Sequence, residues 1–313
     1  MKCKICKTGD LRFHSNARDY WVTNEEYRLL ECDACHVVST EIQLSGDFFN
    51  KYYQSSYYAH TEESIKLGLR EQLQIDSVKI RLGEKLSLFR RTRAYFLAGI
   101  ALINLPAIRN GKILDVGCGS GKLLRVAASV GYECHGVEPS EHARNILMAN
   151  GVMAYASLFD VAVPLKYFDA IVFNQSIEHM PDPIAALQQA LTMLNDDGVL
   201  IISVPNFSTN ERHVFGNYWR HVDVPRHLFH FSPGVFEIIA KNNDLYIQKR
   251  VFKYWGYPSS TFQLAKEKEG LSAYSDMVTW LVRQAISLIQ LNRASYGQMM
   301  SYYCKVKNTT IEL

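Results

Sequence analysis

The chain's pattern of apolar and polar positions is most regular in its middle, where short apolar runs alternate with amphipathic stretches. Lys112–Val116 is an apolar run that suits a buried strand. Gly117-Cys118-Gly119-Ser120-Gly121 follows and predicts a tight turn, then 122–130 reads as helix. Glu133–Val137 predicts a second strand ending at Glu138-Pro139-Ser140, with Ser140 placed to cap a helix over 141–149. Further strands are expected at 152–156, at Phe168–Asn174 and at 198–204, with a helix over 183–194 between the last two. Strands alternating with helices imply an α/β fold with a doubly wound parallel sheet. Such sheets bind ligands beyond the carboxyl ends of their strands.

The flanks read differently. Residues 1–44 hold four cysteines and few long apolar runs, and residues 61–104 read as helix without proline. Residues 205–313 carry an aromatic, His-rich loop, more helix and a terminal strand. The expected organisation is a metal-binding element over 1–44, a helical lid or linker over 45–104, and a catalytic domain over 105–313 with an insertion at 205–232.

Composition narrows the function classes. The chain has 313 residues, 48% of them hydrophobic and 21% charged, so a large core is expected and wholesale disorder is not. A net charge of only +3 counts against nucleic acid as the partner. The opening Met1-Lys2-Cys3 shows no secretory pattern, and seven cysteines then suggest reduced thiols in the cytoplasm. The apolar stretch 277–291 is interrupted by Arg283 and is too short to span a bilayer; the amphipathic stretch 273–293 around it reads as core or interface.

The glycine turn carries chemistry. Glycines allow close approach of a ligand to backbone, and the following helix offers unpaired N–H groups. Glu138, 21 residues after Gly117, stands where an acid can accept both hydroxyls of a ribose. Together they indicate an adenosine-containing cofactor. Asp115 beside the turn would repel a pyrophosphate and welcome a cationic amino acid group. That favours S-adenosylmethionine over a nicotinamide dinucleotide.

The run 113–121 resembles the first motif of class I S-adenosylmethionine-dependent methyltransferases, and Gly136-Val137-Glu138-Pro139-Ser140 resembles their second. The stretch from Phe168 through Pro183, with Ile177-Glu178-His179-Met180-Pro181-Asp182, resembles the fourth-strand motif of their small-molecule branch. The resemblance implies a seven-stranded Rossmann-like methyltransferase sheet whose last strand, expected at 300–306, is antiparallel. It also implies that Asp115 and Glu138 hold the amino acid and ribose ends. Gly117, Cys118 and Gly119 would line the methionine moiety, Leu158 would touch adenine, and Asn174 with Ser176 would floor the pocket.

Cys3-x-x-Cys6 and Cys32-x-x-Cys35 form two paired knuckles 25 residues apart. Each pair can aim two thiolates at one tetrahedral ion, so one structural zinc is expected. His14 and His36 could replace a thiolate, but both pairs are complete without them. Cys118, Cys134 and Cys304 read as core or backbone-site residues. Such a knuckle before this fold resembles a bacterial family that methylates sugars at carbon or oxygen. The cysteine pairs, Phe48-x-x-x-Tyr52-Tyr53, Glu178-His179, and His227 before Phe231-Ser232 carry that resemblance. Carbon-methylating members have Glu-His where this chain has Arg226-His227, which counts against carbon methylation here.

Methyl transfer from a sulfonium is an in-line displacement, so the acceptor must be aligned and lose a proton. Histidine suits the second task. His179 follows the fourth expected strand, and 206–232 holds His213, His221, His227 and His230, four of the chain's ten histidines within 18 residues. His179, His227 and then His221 are the catalytic candidates, while His213 and His230 read as structural. Arg220 and Arg226 could hold an acceptor phosphate or carboxylate. Lys66, Arg70, Lys79, Arg81, Lys85, Arg90, Arg91 and Arg93 read as a solvated helical face, or more sharply as a positive lid. Tyr52, Tyr53, Tyr57 and Tyr58 could line a sugar cleft. The expected acceptor is therefore an anionic small molecule, a nucleotide-sugar or lipid-linked sugar. A zinc-ribbon RNA methyltransferase and a non-catalytic cofactor-binding protein are the alternatives.

Overall fold

In the computed structural model, the described residues are 1–44, 51–52, 68–97, 105–253 and 298–306. Phe48, Tyr53, Tyr57, Tyr58, Lys66, the lid positions 53–67 and the stretch 273–293 lie outside them. So does the side chain of Arg70.

The chain opens with three antiparallel strands, β1 (Leu11–Arg18), β2 (Glu26–Cys32) and β3 (Val38–Thr40). Two helices follow, α1 (Leu69–Arg81) and α2 (Leu88–Leu97). The alternating region then delivers β4 (Lys112–Val116), α3 (Lys122–Ala128), β5 (Glu133–Val137), α4 (Glu141–Ala149) and β6 (Met153–Tyr155). Next come β7 (Phe168–Asn174), α5 (Pro183–Met193), β8 (Leu194–Pro205) and a short helix α6 (Asn210–Phe215). The chain continues through β9 (Phe229–His230), α7 (Pro233–Asn242), β10 (Leu245–Lys253) and β11 (Met299–Val306).

Seven strands form one mixed sheet in the order β10-β11-β8-β7-β4-β5-β6. Strands β4 to β8 run parallel, and β11 lies antiparallel between β8 and β10. The centre of the sheet is covered on both faces, which explains why Ile113, Leu114, Ile171 and Phe173 are all buried in near-continuous apolar runs. The helix expected over 61–104 is broken between Arg81 and Leu88, while within the alternating region the expected boundaries hold to within a residue or two except at β8, which begins at Leu194. Its polar segment Asn195-Asp196-Asp197-Gly198 is taken up by a register shift against β7 between Phe168 and Ala170. Ser140 does cap α4, accepting the Ala143 N–H at 3.4 Å.

Helix α1 packs Ile75 and Val78 into the same apolar cluster as Leu124, Val126 and Ala127 of α3. Its buried Asp76 pairs with Arg90 and Arg93 of α2. These two arginines therefore spend their charge inside the helical pair. The small N-terminal sheet has a fourth member from far along the chain. Strand β9 pairs with β3, so its order is β1-β2-β3-β9. The cysteine element is thereby hydrogen-bonded to the loop that follows β8.

Candidate active site and cysteine cluster

The cofactor candidates converge at the carboxyl ends of β4, β5 and β7. Gly117 has φ +77°, and a Cβ there would sit 2.5 Å from the Ser176 Cβ, so no larger residue fits. Gly121 has φ +74°, and its Cβ would meet Leu147 Cδ2 at 2.3 Å. Glu138 accepts the N–H of Gly119 at 3.0 Å and of Ser140 at 2.9 Å, which aims its carboxylate at the turn. Leu158 is buried in a one-turn helix whose start is fixed by Ser157 accepting the Phe159 N–H at 3.2 Å. The Cys118 thiol is pushed far up by burial and by the charges of Asp115 and Glu138, so it stays neutral.

Asp115, Asn174 and Ser176 share one condition. Asp115 Oδ1, Asn174 Oδ1 and Ser176 Oγ are buried with no hydrogen-bond partner among the described residues. Burial, with a smaller push from Glu138, raises the Asp115 carboxyl from 3.8 to about 7. Orphaned acceptors of this kind call for a donor or cation. The ammonium and sulfonium of S-adenosylmethionine match that demand, and the residues present fit the cofactor.

A second cluster begins directly after Ser176 in the chain. His179 ends the short turn Ile177–His179 after β7, and its Nδ1 donates to the Arg226 carbonyl at 2.9 Å. His227 Nδ1 donates to the His221 carbonyl at 2.9 Å. The two rings meet edge to face with centroids 4.7 Å apart. Glu178 is buried beside them, and its carboxylate, His179 and His227 bring ligand atoms within 4.8 Å of one another. Burial lowers His179 and His221 to about 3 and lowers His227, whose fall the Asp223 carboxylate opposes. All three imidazoles are neutral near pH 7. Burial raises Glu178 from 4.5 to about 8.

The loop residues divide by position. Arg226, expected to hold an acceptor anion, is 0% exposed and donates to Asp19 Oδ1 at 2.8 Å and to Asp223 Oδ1 at 2.6 Å. Its guanidinium is committed to these carboxylates, so it does not face an acceptor. Arg220 is half-buried and lies 5.8 Å over the Trp21 ring. His213 is exposed, whereas His230 is buried against Phe207 and Thr40. Tyr52 is buried with its hydroxyl 2.8 Å from that of Tyr27, against the N-terminal sheet. Asp19 was invisible to sequence reasoning because its partner is 207 residues away. Glu178 was visible only as half of an Glu-His pair.

The four cysteines come together as expected. Cys3 and Cys35 sulfurs are 3.7 Å apart, Cys6 and Cys32 sulfurs 3.6 Å, and all four lie within 4.8 Å. Zinc–sulfur bonds of about 2.3 Å in a tetrahedron put sulfurs about 3.8 Å apart. Backbone N–H groups of Ile5, Gly9, Ala34 and Cys35 point at these sulfurs. Cys3 and Cys35 share a hydrogen bond between their sulfurs, which lowers one thiol and raises the other, so four thiolates require a cation. His14 and His36 instead both face Glu31, each at 3.1 Å. Lys4 donates to the Pro181 carbonyl at 3.0 Å, docking the knuckle beside the Glu178-His179 turn.

Residues 89–250 match a family model described as "Methyltransferase domain", which is 162 of the 313 positions. The chain belongs to this methyltransferase family. The methyltransferase domain is also similar to ubiquinone biosynthesis O-methyltransferases, with 33% identity over 107 residues to one from Haemophilus ducreyi. Identity to one from Actinobacillus pleuropneumoniae is 35% over 107 residues. Each alignment covers 30% of this chain, and the chain spans about half the length of these curated relatives, 45% and 46%. A solved S-adenosylmethionine-dependent methyltransferase from Archaeoglobus fulgidus aligns over 72% of this chain and 97% of its own, at 18% identity and a TM-score of 0.44.

Proposed function

We propose that this protein is an S-adenosylmethionine-dependent methyltransferase acting on a small molecule, a sugar or sugar-containing metabolite, at a hydroxyl oxygen. The observation that carries the reading is the trio of orphaned buried acceptors, Asp115 Oδ1, Asn174 Oδ1 and Ser176 Oγ, around the glycine turn of a methyltransferase-family chain. Asp115 holds the amino acid end, Glu138 the ribose, and the backbone from Gly117 through Cys118 to Gly119 the methionine chain. Leu158 packs on adenine, and Asn174 and Ser176 floor the pocket. When bound, the cofactor supplies an electrophilic methyl group. The acceptor hydroxyl loses its proton at the cluster of His179, His227 and His221, which the Ile177–His179 turn ties to Ser176. Oxygen as the methylated atom is supported by the name of the curated relatives. A sugar acceptor is supported by the resemblance of the knuckle-bearing chain to sugar methyltransferases, and Arg220 is the residue offered to an anionic group on it. The reading includes one structural zinc on Cys3, Cys6, Cys32 and Cys35, supported by the sulfur spacing.

Calorimetry tests the central claim. S-adenosylmethionine and its demethylated product should bind, and Glu138→Ala should weaken both at least about tenfold, as expected for losing charged hydrogen bonds. Equal affinity in the variant would remove Glu138 from the ribose.

A further inference from the structure

We propose that Glu178, His179 and His227 form a binding site for a divalent transition-metal cation, separate from the four cysteines, at the acceptor end of the cofactor pocket. Three independent features of this cluster converge on a cation.

The first is geometry. The carboxylate and the two imidazoles place ligand atoms within 4.8 Å of one another. Atoms about 2.1 Å from a shared ion lie about 3.0–3.5 Å apart, so small side-chain rotations close the set. The second is orientation. His179 Nδ1 donates to the Arg226 carbonyl and His227 Nδ1 to the His221 carbonyl, both at 2.9 Å. A carbonyl can only accept, so each ring carries its proton on Nδ1 and Nε2 is its ligand atom. Metal-binding histidines are held in this way, with the second nitrogen tied to a backbone carbonyl or carboxylate. The third is the carboxylate itself. Glu178 is 1% exposed, and neither of its side-chain oxygens has a hydrogen-bond partner on another described residue. A buried carboxyl with no partner calls for one, and a cation arriving there would displace its proton.

Formal charge agrees. Asp19 and Asp223 bring two negative charges to this buried region against the one positive charge of Arg226, so the field there favours a cation before Glu178 is counted. Asp223 Oδ2 lies 3.9 Å from His227 Nε2, close enough to add to the field.

The two metal sites differ in kind. Four cysteines close a tetrahedron, whereas two histidines and one carboxylate leave coordination positions open for a ligand. The ligand class is a hydroxyl flanked by a second oxygen, such as a vicinal diol, which chelates through both. A bound cation lowers the hydroxyl's pKa. The proton leaves to water, a bond forms from that oxygen to the methyl carbon, and the carbon–sulfur bond breaks with its electrons returning to sulfur. The histidines then assist deprotonation by holding the ion. This chemistry rests on the proposed methyl transfer, whereas binding of the cation does not.

Manganese is the discriminating probe, because carboxylate and water oxygens suit it and a thiolate cluster does not. Full-length protein, freed of loosely bound metal by chelator, would be titrated with Mn2+ and the free ion followed by electron paramagnetic resonance. The expected result is about one Mn2+ per chain, with affinity at least about tenfold weaker in Glu178→Gln and in His227→Ala. Binding of S-adenosylmethionine by both variants would show that they are folded. No Mn2+ binding by the parent, or unchanged binding in Glu178→Gln, overturns the site. Cofactor binding without Mn2+ binding sinks the cation and spares the methyltransferase reading; Mn2+ binding without cofactor binding does the reverse.

Discussion

Asp115 brings a carboxylate to the buried end of β4, where β4 pairs with both β5 and β7 and water cannot follow. Its carboxyl is raised to about 7, so the folded chain holds a proton that the unfolded chain releases near 3.8. The stability contributed by that proton is full below about pH 4 and is lost as pH rises through about 7. Cofactor-free Asp115→Asn, neutral at every pH, should lose stability less steeply than the parent across this window; urea denaturation at stepped pH measures it, and parallel curves would contradict the assignment. Histidines work with the opposite sign. His179 and His221, lowered to about 3, must take up protons on unfolding below about pH 6.5, so they destabilise the fold as pH falls. At the reaction itself, His227→Ala should reduce methyl transfer to a nucleotide-sugar panel far more than it reduces cofactor affinity. Unchanged turnover with labelled cofactor would take His227 out of the acceptor site.

The elements show which parts of the site are rigidly built. The β4–turn–α3 unit was legible because every requirement is local: an apolar run, three glycines and a helix start within a dozen residues. The knuckles are equally local, and their sterics are severe. A Cβ on Gly9 would lie 2.3 Å from Cys32 Sγ. Gly9→Ala should therefore disturb the cysteine cluster as much as Cys32→Ser does. Metal analysis after gel filtration in chelator should find about one zinc per parent chain and far less in both variants. Retained zinc in Gly9→Ala would show that the cluster can shift to admit the methyl group. Other elements were less legible. Strand β9 is only two residues long, and nothing in Phe229-His230 announces that it will pair with β3. Helix α1 was read as a solvated basic face, or more sharply as a positive lid; Ile75 and Val78 pack it against α3, and its buried Asp76 pairs with Arg90 and Arg93. Among the described residues, no helix is long and apolar enough to cross a membrane.

At the scale of the whole molecule, the cysteine element and the acceptor loop are locked together by Arg226. It joins Asp19 of the N-terminal element to Asp223 of the loop, and its backbone carbonyl orients His179. All three ionic side chains are buried, so removing one leaves an uncompensated charge. Arg226→Met should cost about 3–5 kcal/mol of stability. Asp19→Asn should also destabilise, and the double variant should lose clearly less than the sum, because both changes break one contact. Strict additivity in urea denaturation would show that the pair is not coupled. Local spacing alone specifies the alternating α/β sheet, the glycine turn with Asp115 and Glu138, and the two cysteine pairs Cys3, Cys6 and Cys32, Cys35. Each of these is written in spacings of a few residues or in one repeated local unit. Only the tertiary structure decided that Arg226 is an internal tie rather than an anion-binding group. Only it brought His227 to Glu178 and His179, which lie 49 and 48 positions earlier in the chain. Depth and charge pairing depend on which distant segments meet, and no local period records that.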